Sequence, residues 1–577
     1  HFSTRRRHTR LPTRSRGLGD VYKRQVFLFV TMMLVWRKTD PSHRLNLDLA
    51  AGCIVVLVFS ISLQAGVFYL TDRLFSLHRL AVFMPGALAG TASFTLFSVV
   101  YLFSGLATLP KRAQAKAVVI GSVAALVVLK LLYLGLPELM EQEAYYWNYA
   151  QHPDLSYLDH PPLVALLIWL GTGLFGTTEF GVRIGAFLSW FATAYFAYRL
   201  TADIFHRTAA WGSVLLVSLL PLYFGTGFVI TPDSSLHAAW AAFIYFLYRS
   251  LIKGSSKAWL GVGISLGLGL LSKYTIVLLG PGIVFFLLID KRARSWFLRP
   301  EPYGAVVLGL LMFSPVLIWN YQHDWISFLF QGEQRVSGRD FFTTHRLIAY
   351  MTMLLTPAGL LGLVYFLLGG NGFFKAQAAI ESEGAKGDSP RSFLLLLLLI
   401  ISPLVVFLFF SFSKEVKLNW TSPIWLALLP FLGCTVTLSC AELKSAFLCF
   451  LHWLWKLSAA VLVIGYCGFL HYATLGLPSL PFNTDVFLMG WEHLAEEVEL
   501  VADKVEDYTG NRPLVVGMDP YQISSGLAFY RAKLHRGDRE KQRLAIEGTM
   551  GWHLFGWKGL MYEHWAVPED HYGRDVI

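Results

Sequence analysis

The chain has 577 residues, of which 55% are hydrophobic and 15% charged, with a mean hydropathy of +0.51. Soluble domains average roughly 25% charged residues, so this composition excludes an ordinary soluble protein and indicates a polytopic, all-α membrane protein. The formal charge of +10 does not indicate a nucleic-acid partner: residues 1–25 hold eight Arg or Lys and one acid, net +7, which leaves +3 for everything else.

Residues 1–25 are not apolar and do not read as a signal peptide. They read as a translated adaptor sequence and are set aside from the fold. Apolar runs of about 20 residues, the length a helix needs to cross hydrocarbon, recur from Val26 to about Tyr472. Spans are expected at 26–36, 47–70, 80–105, 117–136, 183–200, 209–229, 235–251, 259–271 and 275–289, then at 303–319, 346–368, 392–411, 422–440 and 446–472. Residues 26–115 would form an N-terminal transmembrane extension, 116–474 a membrane-embedded core and 475–577 a small extracytoplasmic domain. Basic residues collect in alternate loops (Arg37, Lys38 and Arg44; Lys111, Arg112 and Lys116; Arg199 and Arg207; Arg249, Lys253 and Lys257; Lys291, Arg292 and Arg294), which assigns those loops to the cytoplasm. Cys53, Cys434, Cys440, Cys449 and Cys467 lie in apolar runs without ligand spacing and read as small buried hydrophobes.

The complementary loops hold every unusual motif. The first, Glu138 to Arg183, packs Glu141, Glu143, Asp154, Asp159 and Glu179 among His152, His160 and the aromatics Tyr145, Tyr146, Trp147, Tyr149 and Tyr157. Acids beside membrane spans are costly unless water or a ligand meets them. Glu143, Asp159 and Glu141 are the candidates for moving a proton, with solvated loop acids as the bland alternative. Two prolines after Asp159-His160 fix the backbone, although a capping Asp would explain Asp159 equally. Thr231-Pro232-Asp233 could be a simple helix start. Lys273, in Ser272-Lys273-Tyr274, is either a snorkelling anchor or a point charge for an anion, and Lys130 is expected to snorkel. Lys414, Lys417, Asn419 and Trp420 form another outward loop, where two lysines run against the positive-inside trend and favour anion binding. Trp319 to Trp325 read as belt aromatics. In the tail, Trp491–Tyr508 has helical spacing, Leu514–Met518 reads as a strand and Tyr521–Tyr530 as a helix, together a small α/β domain.

With E-A-Y-Y-W, L-D-H-P-P-L and E-F-G-V-R, then T-P-D, L-L-S-K-Y-T, W-N-Y-Q-H-D-W-I-S-F and K-L-N-W, the chain resembles bacterial polyprenyl-phosphate-sugar-dependent glycosyltransferases with the C-type membrane fold. These are relatives of protein O-mannosyltransferases and of the lipid A aminoarabinose transferase. The resemblance covers about 116–475. It implies an inverting transferase in the bacterial inner membrane, its site facing the periplasm. The donor would be a polyprenyl-phosphate-linked sugar and the acceptor a lipid, glycan or protein; no cofactor is required by the motifs, and a divalent cation is left open. Such chemistry needs a carboxylate for the acceptor proton and donors for the departing phosphate. The family's first loop usually carries an Asp-Glu pair; here Gln142 stands at the Asp and Glu143 matches the Glu, so the proton passes to Glu143 or Glu141. Asp159 matches the loop's second acid, His160 a position held by Lys in some relatives, and Lys273 a candidate for the donor phosphate. Tyr145, Tyr146, Arg183, Asp233 and Tyr274 complete the expected substrate contacts. A transporter of lipid-linked sugars and an inactive sugar-lipid-binding subunit are the alternatives; the first predicts an internal repeat and midplane charges, and neither is seen.

Overall fold

The computed structural model describes residues 47–74, 86, 88–90, 93, 111–336, 341–369, 389–443, 445–475 and 490–577. The leader, the expected spans at 26–36 and 80–105, and most of the 369–391 segment lie outside them. Seven of the described helices are long and apolar enough to cross a membrane. The chain divides into two compact units, which part at residues 137/138, 455/456 and 487/488.

In the first unit, α1 (Leu47–Leu74) and α2 (Lys111–Tyr133) accompany the C-terminal part of a long helix over Ala446–Leu475. Polar side chains pin the three together: Tyr133 donates to the Ser62 carbonyl at 2.7 Å and the Ser62 hydroxyl to the Cys467 carbonyl at 3.3 Å. Lys130 is fully buried in the last turn of α2 and does not snorkel.

The second unit starts with three helices, α3 (Glu141–Gln151), α4 (Leu163–Phe175) and α5 (Glu179–Ile204). The sequence did not announce α4. At 13 residues it is about 20 Å long, short of the roughly 30 Å of hydrocarbon, so it cannot span. The expected span at 209–229 is two helices, α6 (Arg207–Leu219) and α7 (Pro221–Thr226). The break falls at Leu220, whose ψ of 134° is extended because proline follows it. Next come α8 (Pro232–Leu251), α9 (Ala258–Ser272), a 3-10 turn over Tyr274–Leu278, α10 (Leu279–Ile289), α11 (Pro300–Gln322) and α12 (Ile326–Val336). After α13 (Thr344–Leu367) and α14 (Ser389–Ser411), a 3-10 turn over Ser422–Ala427 leads into α15 (Leu429–Thr437). Cys434 and Cys467 are buried as expected, but Cys440 is exposed and Cys449 half-buried, because both flank a turn rather than a packed helix.

Helices α6 and α15 cross backbone to backbone. A Cβ on Gly212 would sit 2.2 Å from the Gly433 carbonyl, and one on Gly433 would sit 2.6 Å from the Ser213 nitrogen. Such small-residue crossings replace the missing hydrophobic force between helices in lipid. Gly433→Val is therefore expected to cost about 1–3 kcal/mol through overpacking, read as a lower thermal midpoint in detergent.

The tail is mixed, as expected. It comprises α16 (Trp491–Thr509), strand β1 (Val515–Gly517), α17 (Gln522–Leu534), α18 (Arg539–Glu547) and strand β2 (Thr549–Gly551). β1 and β2 pair in parallel, Val515 opposite Thr549, and Leu514 bridges Val576 on the other edge. The tail packs on α3. Phe529 meets Trp147 edge to face at 5.1 Å, and Tyr530 accepts from the Leu139 amide at 2.7 Å. The Glu138 carboxylate caps α16, accepting from the amides of Gly490 at 2.6 Å and Trp491 at 2.9 Å. Lys533 reaches Glu179 at 2.6 Å.

Candidate functional site

Successive residues of a helix turn by about 100°, so Tyr145 and Tyr149 share one face of α3 while Glu143 points almost oppositely. That spacing separates the two expected acids. Glu143 is completely buried. Arg183, on α5, grips it with two bonds, Nε to Oε1 at 2.9 Å and Nη2 to Oε2 at 2.7 Å. The amides of Ile230 and Met140 add bonds to Oε1 at 3.1 Å and Oε2 at 3.0 Å. Four donors saturate a carboxylate. Arg183, also buried, spends a further bond on the Glu138 carbonyl at 2.8 Å. Glu143 and Arg183 thus tie α3, α5 and the 230 segment together; substrate would reach neither without breaking the pair.

Asp159 is placed differently. It is half-buried, and its Oδ1 receives the phenols of both Tyr145, at 3.2 Å, and Tyr149. Among the described residues no hydrogen bond is made to Oδ2. Burial, and then the charge of Asp159, push both phenols well above the usual tyrosine range, so they remain proton donors. Tyr145 in turn accepts from the Met561 amide at 3.3 Å, which directs its proton toward the acid. Gln331 donates to the Asp159 carbonyl at 2.5 Å and fixes the backbone.

A second cluster joins three loops. Lys273 ends α9 in extended backbone (φ −163°, ψ 136°) and its Nζ lies 2.9 Å from Asp233 Oδ1. Asn419 donates to Asp233 Oδ2 at 2.6 Å. Asp233 is not the helix cap; Thr231 holds that position, with Ser234 accepting from its amide at 3.1 Å. A cavity of about 200 Å³ connects the two clusters, lined by Asp159, His160, Lys273, Tyr274 and Gln331 among others. Lysine has three donors, and Asp233 takes one of them. One carboxylate beside one ammonium, with neutral donors around, suits an anion with a hydroxyl partner. Among the described residues no three His, Cys, Asp or Glu side chains group as metal ligands, so the donor set does not fit a divalent cation.

The other expected residues spread more widely. Tyr146 is buried with its ring 5.7 Å from that of His160, and Tyr274 bonds Ser327 at 3.1 Å while lining the cavity. Trp420 packs on Phe407 and Phe410, at 5.8 and 5.3 Å between rings. Lys417 is exposed and Lys414 half-buried on the same loop, and neither lines the cavity. The belt-like Trp319 instead bonds Asp154 at 2.7 Å, so that loop is bolted to the acidic one. Sequence reasoning missed Tyr149 as a partner of Asp159, although its i, i+4 relation to Tyr145 was visible. It also missed Gln331 and Met561, for which no local signal exists.

Glu141 and Gln142 face the tail. Burial, and next the charge of Asp519, raise the Glu141 carboxyl above its ordinary range. A raised carboxyl binds its proton more tightly folded than unfolded, so its penalty is full above the folded pKa and absent below the unfolded one. Glu141→Gln is expected to raise the thermal midpoint at neutral pH by on the order of 1 °C and to change nothing in acid below the usual carboxylate range. Its transfer rate should stay within about threefold of wild type.

Comparison with known proteins agrees with this architecture. Residues 159–319 match the family model for dolichyl-phosphate-mannose-protein mannosyltransferase. Over 298 residues the chain is 26% identical to the undecaprenyl phosphate-alpha-4-amino-4-deoxy-L-arabinose arabinosyl transferase 1 of Proteus mirabilis, covering 49% of this chain and 50% of that one. A lipid A galacturonosyltransferase of Rhizobium johnstonii is 27% identical over 197 residues, 34% of this chain and 41% of the relative. The match therefore spans half or less of the length of these relatives. Among solved structures, ArnT from Cupriavidus metallidurans in the apo state aligns with a TM-score of 0.50 at 16% identity, covering 72% of this chain and 84% of that one. The same protein bound to undecaprenyl phosphate gives 0.50 at 15% identity, covering 75% and 88%. The chain has this C-type membrane fold, and the resemblance read from its motifs is the one these comparisons find.

Proposed function

We propose that this chain is an integral-membrane, inverting glycosyltransferase. It moves a sugar from a polyprenyl-phosphate donor to an acceptor hydroxyl at the outer face of the bacterial inner membrane. The observation behind this reading is the single cavity with Asp159 at one side and Lys273 at the other. The acceptor oxygen attacks the anomeric carbon and its proton passes to Asp159 Oδ2. The bond from that carbon to the phosphate oxygen breaks, and the electron pair leaves with polyprenyl phosphate, whose charge Lys273 meets. Base and phosphate binder on opposite walls match attack from the face opposite the leaving group. Tyr145 and Tyr149 orient the carboxylate, and Glu143 with Arg183 holds the helix that presents those phenols, as positioning residues. A lipid acceptor is favoured over glycan or protein by the relatives named for lipid A.

Transfer from a panel of labelled polyprenyl-phosphate sugars into membrane lipid tests this directly. Lys273→Met is expected to raise the KM for the donor at least tenfold, about 1.4 kcal/mol. Donor binding without turnover in wild type, for every sugar tried, would make the chain a binding subunit instead.

A further inference from the structure

Outside the cavity, the most informative surface lies where α4 meets the tail. Leu166, Leu170 and Leu174 recur at every fourth position of α4 and are 49%, 47% and 79% exposed, with Trp169 beside them at 56%. An apolar stripe this open in a membrane protein faces lipid. Both ends of α4 are held in the polar layer. Its start follows Asp159 and His160 directly, and just past its end Glu179 pairs with Lys533 of the tail. A helix too short to span and tied at both ends lies along the interface, with its stripe toward the hydrocarbon.

At the end of that stripe stands a cation. The Arg536 guanidinium lies against Gly176, the residue that terminates α4: a Cβ built there would meet its Nη2 at 3.4 Å and its Nε at 3.6 Å. Arg536 is exposed, as are Arg539 and Lys541 immediately after it. Of the nearby acids, Asp538 is occupied in capping α18, accepting from the Lys541 amide at 3.1 Å. Lys533 and Arg531, on the inner side, are already paired with Glu179 and Glu499.

We propose that Arg536, with Arg539 and Lys541, binds the phosphates of anionic lipid headgroups beside α4. The tail is thereby seated on the membrane surface. Charge complementarity and direct continuity with the lipid-facing stripe select this occupant: guanidinium pairs well with phosphate, and cations at the interface are drawn to anionic lipid. The site is independent of the sugar-transfer reading and would stand if that reading failed.

The test uses the full chain in nanodiscs of phosphatidylcholine alone or mixed with phosphatidylglycerol, with amide hydrogen exchange as the readout. Exchange over 534–544 is expected to slow by on the order of fivefold in the anionic discs, and high salt should reverse this. Arg536→Gln with Arg539→Gln and Lys541→Gln should abolish the lipid dependence, while Arg536→Lys with Arg539→Lys should keep most of it. Equal exchange in both lipids overturns the proposal, and so does a glutamine triple variant that behaves as wild type. Slowing produced by inorganic phosphate in neutral discs would assign the cluster to free phosphate and also overturn it. The wild-type comparison stands alone if the triple variant fails to fold.

Discussion

Asp159→Asn is expected to lower sugar transfer at least a hundredfold, roughly 3 kcal/mol of transition-state stabilisation, with little loss of folding stability. The amide keeps an oxygen that can accept the phenols of Tyr145 and Tyr149, so the local packing survives. What it cannot do is take up a proton. Initial rates with a saturating donor, beside thermal unfolding of both proteins in detergent, separate the two effects. Tyr149→Phe should lie between wild type and Asp159→Asn, lowering kcat with little change in KM, because it loosens the carboxylate without removing it. An Asp159→Asn protein that retains wild-type rates would remove this residue from the chemistry and return the proton to Glu141.

The largest effect on stability is expected at the other acid. Arg183→Met leaves the Glu143 carboxylate buried without its partner, which costs about 3–5 kcal/mol. Replacing both by Met should recover much of that loss, since a buried pair is often no better than apolar packing. Glu143→Gln discriminates between roles. A positioning residue should lose stability and activity together. A residue that itself takes the acceptor proton would lose activity alone. Unfolding midpoints and transfer rates measured on the same preparations read out both.

Much of this was legible in one dimension. Spans such as α5, α11, α13 and α14 follow from apolar runs of sufficient length, and the tail helices at Trp491–Thr509 and Gln522–Leu534 from their periodicity. Proline set the break between α6 and α7. The loops holding Asp159, Asp233, Lys273 and Asn419 were singled out by residue type alone, because ionisable groups next to apolar spans are expensive unless used. Helix α4 escaped because its apolar run is too short for a span and sits beside an acidic loop.

What the sequence could not decide is which of those ionisable groups face each other. Glu143 and Asp159 look alike as loop acids, sixteen residues apart. Tertiary structure buries the first under Arg183, forty residues on, and leaves an oxygen of the second beside a cavity that Lys273 lines. Asp233, Lys273 and Asn419 meet across 40 and 186 residues of chain. Local sequence determines where a helix begins and which side is apolar, since those depend on neighbours within a turn or two. The partner of a buried charge is set by the packing of helices distant in the chain, where desolvation penalises every unpaired arrangement, and only the folded molecule expresses that choice.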